Sequence, residues 1–251
     1  VRRLAPVGSG GLGDGFPTVV WALVSIVFVT WALQFFAATA PLIGLLRLTP
    51  AVWRSGFIWQ LATYPFAGIG PPTPWILLEL FIVAMFAASV VARTGRRGLW
   101  RLVLISGAIG AVAAVGVDAL ASTWGGAAGS YPLVQGQRVL MAILVAAFAT
   151  LNPRATIHLF FVLPMPARWF IPLEVLLAFI GFLASKDLPG FVGLLVAIGV
   201  AWALMRGGGV GRALRDLRLR LEAAWIRLRM RSQRRRRGFV VVPGGKDQRP
   251  N

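Results

Sequence analysis

Among the ionisable residues that border or interrupt the apolar stretches of this sequence are Glu79, Arg138, Glu174 and Asp187. A charge at the mouth of a long apolar run, or inside one, is costly unless it is paired or reaches water, so each is a candidate for an ion pair or a ligand contact. Arg138, preceded by Gln137, opens the run GQRVLMAILVAAFATLNPRA at 136–155, which Asn152 and Pro153 close. Glu79 lies near the start of the run at 75–92, and Asp187 just precedes the run at 189–205. Pairing of Arg138 with Glu79 or Asp187 is one expectation for these residues; the alternative is that all three reach interfacial water. Glu174 stands several residues inside the run at 169–184, where it is either a proton or ligand contact or a carboxylate that snorkels towards Arg168. Other chemistry is restricted by residue type. The chain has no cysteine and one histidine, His158, so thiol nucleophiles, disulfides and His- or Cys-based metal sites are excluded or nearly so. No cofactor and no metal are expected.

These residues must be positioned by membrane helices. Of the 251 residues 57% are hydrophobic and 14% charged, far more apolar than a soluble domain, for which about 45–50% apolar and about 25% charged are usual. Apolar segments lie at about 17–38, 75–92, 99–119, 137–151, 169–184 and 189–205. A crossing takes roughly 20 residues, and the last three segments reach it only with flanking residues that snorkel. The expected fold is an all-α, polytopic bundle of six transmembrane helices, with 1–15 as an N-terminal segment, 16–206 as the membrane domain and 207–251 as a basic tail. Ala38-Thr39-Ala40 imitates a signal-peptidase site, but the apolar stretch before it exceeds an h-region, so an uncleaved helix is expected.

Arg93, Arg96, Arg97 and Arg101 crowd the second connection, and Arg154 and Arg168 bracket the fourth, whereas the other side carries Arg47, Arg54, Arg138 and Lys186. The positive-inside rule then puts both termini in the cytoplasm. The Arg- and Ala-rich usage fits a GC-rich bacterial genome, and the expected location is a bacterial inner membrane. The connection at 39–74, rich in Trp, Phe and Pro, is expected to lie in the outer interface with its rings at headgroup level. Ser106, Gly110 and Ala114 on the third helix, and Gly190, Gly193 and Ala197 on the sixth, are small residues at helical spacing, suited to close internal packing.

The net charge of +18 describes mainly the tail, because about half of the basic residues lie beyond residue 205. After a Gly-rich hinge at 207–209, Leu214, Leu217, Leu221, Trp225 and Leu228 fall on one face of a helical pattern whose other face is filled by arginines. Arg215, Arg218, Arg227, Arg229, Arg234, Arg235, Arg236 and Arg237 are therefore candidates for binding anionic lipid headgroups, at about 1 kcal/mol per residue near the surface. Nucleic acid is not expected as a partner, since no aromatic stacking platform accompanies the charge.

WQLATYPFAG at 59–68 resembles the Trp-Arg-x-x-Thr-x-x-Phe signature in the first long loop of rhomboid intramembrane proteases, with Trp59, Thr63 and Phe66 at the matching positions. The helix order, the basic turn after the second helix and LNPRATIHLFFVLPMPARW at 151–169 are similar too, so the resemblance covers about 16–206. It implies a rhomboid fold and an intramembrane Ser-His dyad. The implied serine position is Arg138, or Gln137 one residue away, and the implied histidine position is Asp187. The oxyanion donors of the family fall near Gly68, Thr73 and Leu77, with Glu79 two residues beyond. Ser130 lies in an outer loop without a histidine base, and His158 is at the wrong end of the bundle. A rhomboid-like pseudoprotease that binds transmembrane client segments without hydrolysing them is the first expectation. An active intramembrane serine protease is the alternative, and an unrelated six-helix membrane protein acting through its tail is the third.

Overall fold

A computed structural model of the chain describes residues 17–124, 131–159 and 163–206, and the side chains of all of these except 157–159 and 163–164. The tail arginines from Arg215 to Arg237, the N-terminal segment and Ser130 lie outside the described residues. The described part is mostly helical. Three helices are long and apolar enough to cross a membrane, α5 (Trp75–Thr123), the stretch Ala167–Ser185 that contains α7 (Phe170–Ser185), and α8 (Leu188–Arg206). Two shorter apolar helices, α1 (Thr18–Leu33) and α6 (Gly136–Leu151), complete the apolar set. The short helices α2 (Ala40–Leu46), α3 (Ala51–Arg54) and α4 (Gln60–Thr63) fall in the long connection after α1.

The two apolar segments expected at 75–92 and 99–119 are one helical run broken at a single residue, Gly95, whose φ of 73° and ψ of 174° lie outside the helical region. Glycine alone takes that conformation without a Cβ penalty, so the chain reverses there with no loop. Contacts fix the direction of each limb. Glu79 and Ser89, on the first limb, meet Gln137 and Asn152 at the two ends of α6, so these helices run parallel. Gly110 and Ala114, on the second limb, meet Ala197 and Gly193 of α8 in antiparallel order. The helices thus share two ends. One carries the long connection, and the other carries the Gly95 turn and an antiparallel hairpin, β1 (Thr156–Leu159) with β2 (Leu163–Pro166). His158 is in this hairpin.

The core lies where α5, α6 and α8 meet. α6 is the most enclosed helix, with Val139, Leu140, Ala142, Ile143 and Leu144 all inaccessible to solvent. Its length follows from its ends: Gly136 has φ +56°, and Pro153 biases Asn152 away from the helix, so the helix stops at Leu151. A Cβ on Gly110 would stand 2.8 Å from the Gly193 carbonyl oxygen and 2.8 Å from the Ala197 Cβ, which makes this pair an internal seam between α5 and α8. Gly190 has a different role, since a Cβ there would strike the Asp187 carboxylate.

The long connection departs from the expected interfacial excursion. Its middle, a 3-10 turn at Tyr64–Phe66, drops into the bundle, with Tyr64 and Ala67 fully buried. The Tyr64 hydroxyl donates to the Gly107 carbonyl at 2.9 Å, and the Phe66 ring lies 5.7 Å from that of Trp100. The exposed indoles of Trp53, Trp59, Trp75 and Trp124 ring the loop end, and those of Trp21, Trp169 and Trp202 ring the hairpin end. Two such belts are the pattern of a protein with a membrane interface at each end.

Candidate functional site

At the loop end a cavity of about 550 Å³ opens between α1, the long connection, the first limb of α5 and the start of α6. Sites for small molecules commonly measure about 300–1,000 Å³. Glu79, Gln137 and Arg138 all line it, so the structure brings together three of the four residues at or near the positions that the resemblance implies for an active site. Thr73 lines it as well, whereas Leu77 faces outward from the opposite side of α5 and is 61% exposed.

Gln137 is committed to the backbone. Its Oε1 accepts the Ile69 N–H at 2.8 Å, and its Nε2 donates to the Ile69 carbonyl at 2.5 Å and to Glu79 Oε2 at 3.2 Å. Gln135 makes the same two-way clamp on Leu48, at 3.2 and 2.6 Å. Thr30 takes the Gly68 N–H at 2.8 Å and donates to the Phe66 carbonyl at 2.7 Å, and Gln34 donates to the Gly70 carbonyl at 3.0 Å. Side-chain amides and hydroxyls therefore do for this irregular loop what ladder bonds do for a strand, satisfying backbone groups held near apolar walls.

The expected ion pair does not form. Arg138 is exposed and donates to the Pro132 carbonyl at 3.4 Å, and among the described residues no ion pair joins it to Glu79 or Asp187. Glu79 has the neutral Gln137 amide as its donor instead, which lets both charges keep contact with the water-accessible cavity. Asp187 does not line the cavity. It is buried at the α7–α8 turn, where Oδ1 caps α8 by accepting the Gly190 N–H at 2.7 Å and Oδ2 accepts the Leu133 N–H at 3.1 Å. An Asp followed three residues later by a helical N–H is a helix-cap pattern, and that signal was present in KDLPG. Glu174 is part-buried near the start of α7.

The motif residues in the loop fasten it. Trp59 donates its indole N–H to the Leu45 carbonyl at 3.1 Å, and the Thr63 hydroxyl donates to the Leu46 carbonyl at 3.2 Å, which ties α4 to the end of α2. Phe66 packs inward. None of the three lines the cavity, whose other polar lining includes Trp31, Arg47 and Gln135. These went unrecognised as site residues because their placement depends on how the connection folds back over α6. The glutamines carried one usable signal, an uncharged polar residue at each point where the loop must be held.

A second polar group lies outside the cavity lining. The buried Asp118 carboxylate accepts from the Trp53 indole at 3.3 Å and lies near Tyr131, whose phenol is pushed up from its ordinary pKa first by burial and then by Asp118. Among the described residues no group of three or more His, Asp or Glu side chains is arranged to hold a metal ion. Compared with known proteins, the chain matches no family model, no curated protein and no solved structure.

Proposed function

We propose that this chain is a rhomboid-like, multi-pass membrane protein that binds transmembrane client segments without hydrolysing them. The observation that carries the reading is the occupation of the loop-end cavity by Gln137 and Arg138, at the positions where the resemblance calls for a serine nucleophile. The Gln137 amide is held by Ile69, and Asp187, at the implied base position, is spent on capping α8. Acyl transfer needs a nucleophile within hydrogen-bond reach of a base, and these side chains offer neither role.

Client binding is supported by the uneven packing of the bundle. α7 buries only Phe170 and Ala178 and turns Leu176, Leu177, Ile180 and Leu183 outward, so a second apolar helix can lie along it with little rearrangement. Six crossings with both termini inside are supported by the six apolar limbs and by the arginines gathered at the hairpin end, among them Arg93, Arg96, Arg97, Arg101, Arg154 and Arg168. Arg93 donates there to Asn152 Oδ1 at 2.7 Å.

The test is reconstitution of the full chain in liposomes with transmembrane fusions, and photo-crosslinkers placed at Leu177 on α7 and Leu77 on α5. Intact adducts without cut fragments are expected. Fragments that vanish when one residue of this chain is changed would identify a nucleophile and overturn the reading, and adducts confined to the tail would transfer the function there.

A further inference from the structure

Once the amide clamps are made, the cavity still holds unspent bonding capacity. Arg47 gives one N–H to Gln34 Oε1 at 3.1 Å, while its Nε is buried and has no partner among the described residues. Among the described residues, the one hydrogen bond that Arg138 makes is the long contact to Pro132. The indole Nε1 of Trp31 is also buried with no partner among the described residues. Among the described residues, the one carboxylate lining the cavity is Glu79, and its donor there, Gln137, is shared with Ile69. The deeper wall is apolar, formed by Ile76, Val83 and Met141.

Two guanidinium groups with neutral acceptors, together with a buried indole N–H, make a site for a tetrahedral anion. Arginine's planar fork matches phosphate oxygens, and a buried donor left unmade is a standing cost that an acceptor removes. A water molecule could satisfy one N–H but would leave both positive charges unanswered. An anion alone would in turn face Glu79, so the complementary ligand carries a cation as well. We propose that the cavity binds a zwitterion bearing a phosphate and an ammonium group, with the phosphate at Arg47 and Arg138 and the ammonium at Glu79. Its source is either a phosphoethanolamine-headed lipid, whose chains would leave over the apolar wall, or soluble phosphoethanolamine. The inference rests on the reading of the loop end as the headgroup-level end of a membrane bundle, and it is independent of whether clients are bound or cut.

The test is native mass spectrometry of the full chain in detergent, titrated with phosphatidylethanolamine, with phosphatidylglycerol of the same chains, and with soluble phosphoethanolamine. Phosphatidylethanolamine should be retained about tenfold more tightly than phosphatidylglycerol, the ratio expected for one charge-assisted bond. Arg47→Gln and Arg138→Gln should each weaken its retention about tenfold, by the same reckoning. Glu79→Gln should abolish the preference between the two lipids, and Arg54→Gln, outside the cavity, should change nothing. Displacement of lipid by phosphoethanolamine would support the site and assign it to the soluble ligand; failure to displace, with lipid still retained, would assign it to the lipid. Equal retention of the two lipids by the unaltered chain, or undiminished retention by Arg138→Gln, overturns the proposal. Arg138 is exposed and weakly bonded, so that variant carries the test if Arg47→Gln does not fold. No client is present in the titration, so its failure is distinct from a failure of client crosslinking.

Discussion

Replacing Gln137 by glutamate changes one nitrogen for one oxygen at the most constrained point of the cavity. The Oε1 bond from the Ile69 N–H survives, and a negative charge strengthens it. The Nε2 bond to the Ile69 carbonyl, 2.5 Å in the native protein, becomes a contact between two oxygens. The bond from Nε2 to Glu79, 3.2 Å, becomes a contact between two carboxylates. Losing a donor from a part-buried carbonyl costs about 1 kcal/mol, and a like-charge neighbour at this range adds about 1–2 kcal/mol in a partly solvated site. The total of about 2–3 kcal/mol corresponds to a fall in melting temperature of about 4–12 °C for a domain of this size.

The pH dependence gives this prediction its sign. A carboxyl held against Glu79 and a carbonyl oxygen has a folded pKa above its unfolded value near 4.3, because both neighbours disfavour its charge. The folded variant then binds its proton more tightly than the unfolded chain does, so its stability relative to the native protein rises as pH falls through the folded pKa. The protonated carboxyl also regains a donor for Ile69. Melting of the purified full chain in detergent should show the full deficit for Gln137→Glu at pH 8 and recovery of most of it at pH 5. Gln137→Leu, with no charge, should show a deficit that does not vary with pH, and Glu79→Gln should rescue part of the Gln137→Glu deficit at pH 8. An equal deficit at pH 5 and pH 8, or none, would refute the clamp.

Two further perturbations test the packing. Gly110→Ala drives a Cβ to within 2.8 Å of the Gly193 carbonyl and should cost about 1–3 kcal/mol by overpacking, whereas Gly116→Ala, with nothing within 4 Å, should gain about 0.4–1 kcal/mol by stiffening the unfolded chain. Melting shifts of the same sign for the two would contradict the α5–α8 seam. Burial pushes the phenols of both tyrosines, Tyr64 and Tyr131, upward, so the folded chain keeps these protons while the unfolded chain releases them near pH 10. Stability should therefore fall above pH 10 by up to about 1.4 kcal/mol per pH unit for each tyrosine, and ultraviolet titration should show phenolate appearing together with unfolding.

The helix positions were legible because each apolar run carries its own stop signal, such as Asn152-Pro153 after α6. The seam was legible for a related reason: Gly110, Gly193 and Ala197 are spaced by helix geometry alone. The turn at Gly95 was harder to read. A loop between 92 and 99 and a reversal at one glycine give the same hydropathy, and only the backbone angles separate them. The site was legible in part. Glu79, Gln137 and Arg138 share a cavity, as the order of the helices implies, but the partner of each depends on distances that spacing does not determine. Asp187 and Glu79 are both carboxylates at helix starts, yet one caps α8 and the other faces the cavity, because Asp187 sits directly at the α7–α8 turn while Glu79 lies a turn inside α5. Arg47 and Trp31 could not be assigned at all without the path of the connection.

That path also determines which side of the cavity yields first. The middle of the connection is held by burial, since extracting Tyr64 and Ala67 would expose apolar surface and break the bond to Gly107. The flank at 47–49 has a similar anchor in Leu48, which is fully buried and clamped by Gln135. The flank at 69–74 is different. Ile69 and Gly70 are only part-buried, the four residues that follow are exposed, and the bonds that hold this flank are the Gln137 clamp on Ile69 and the Gln34 bond to Gly70. Bonds to part-exposed backbone are replaced by water at little net cost, whereas buried side chains are not. The least costly opening at the loop end is therefore release of 69–74 from α6, and it uncovers the wall that carries Glu79. Gln137 is thus the latch of the cavity, and a ligand ammonium that draws Glu79 away from it would weaken the same latch from inside.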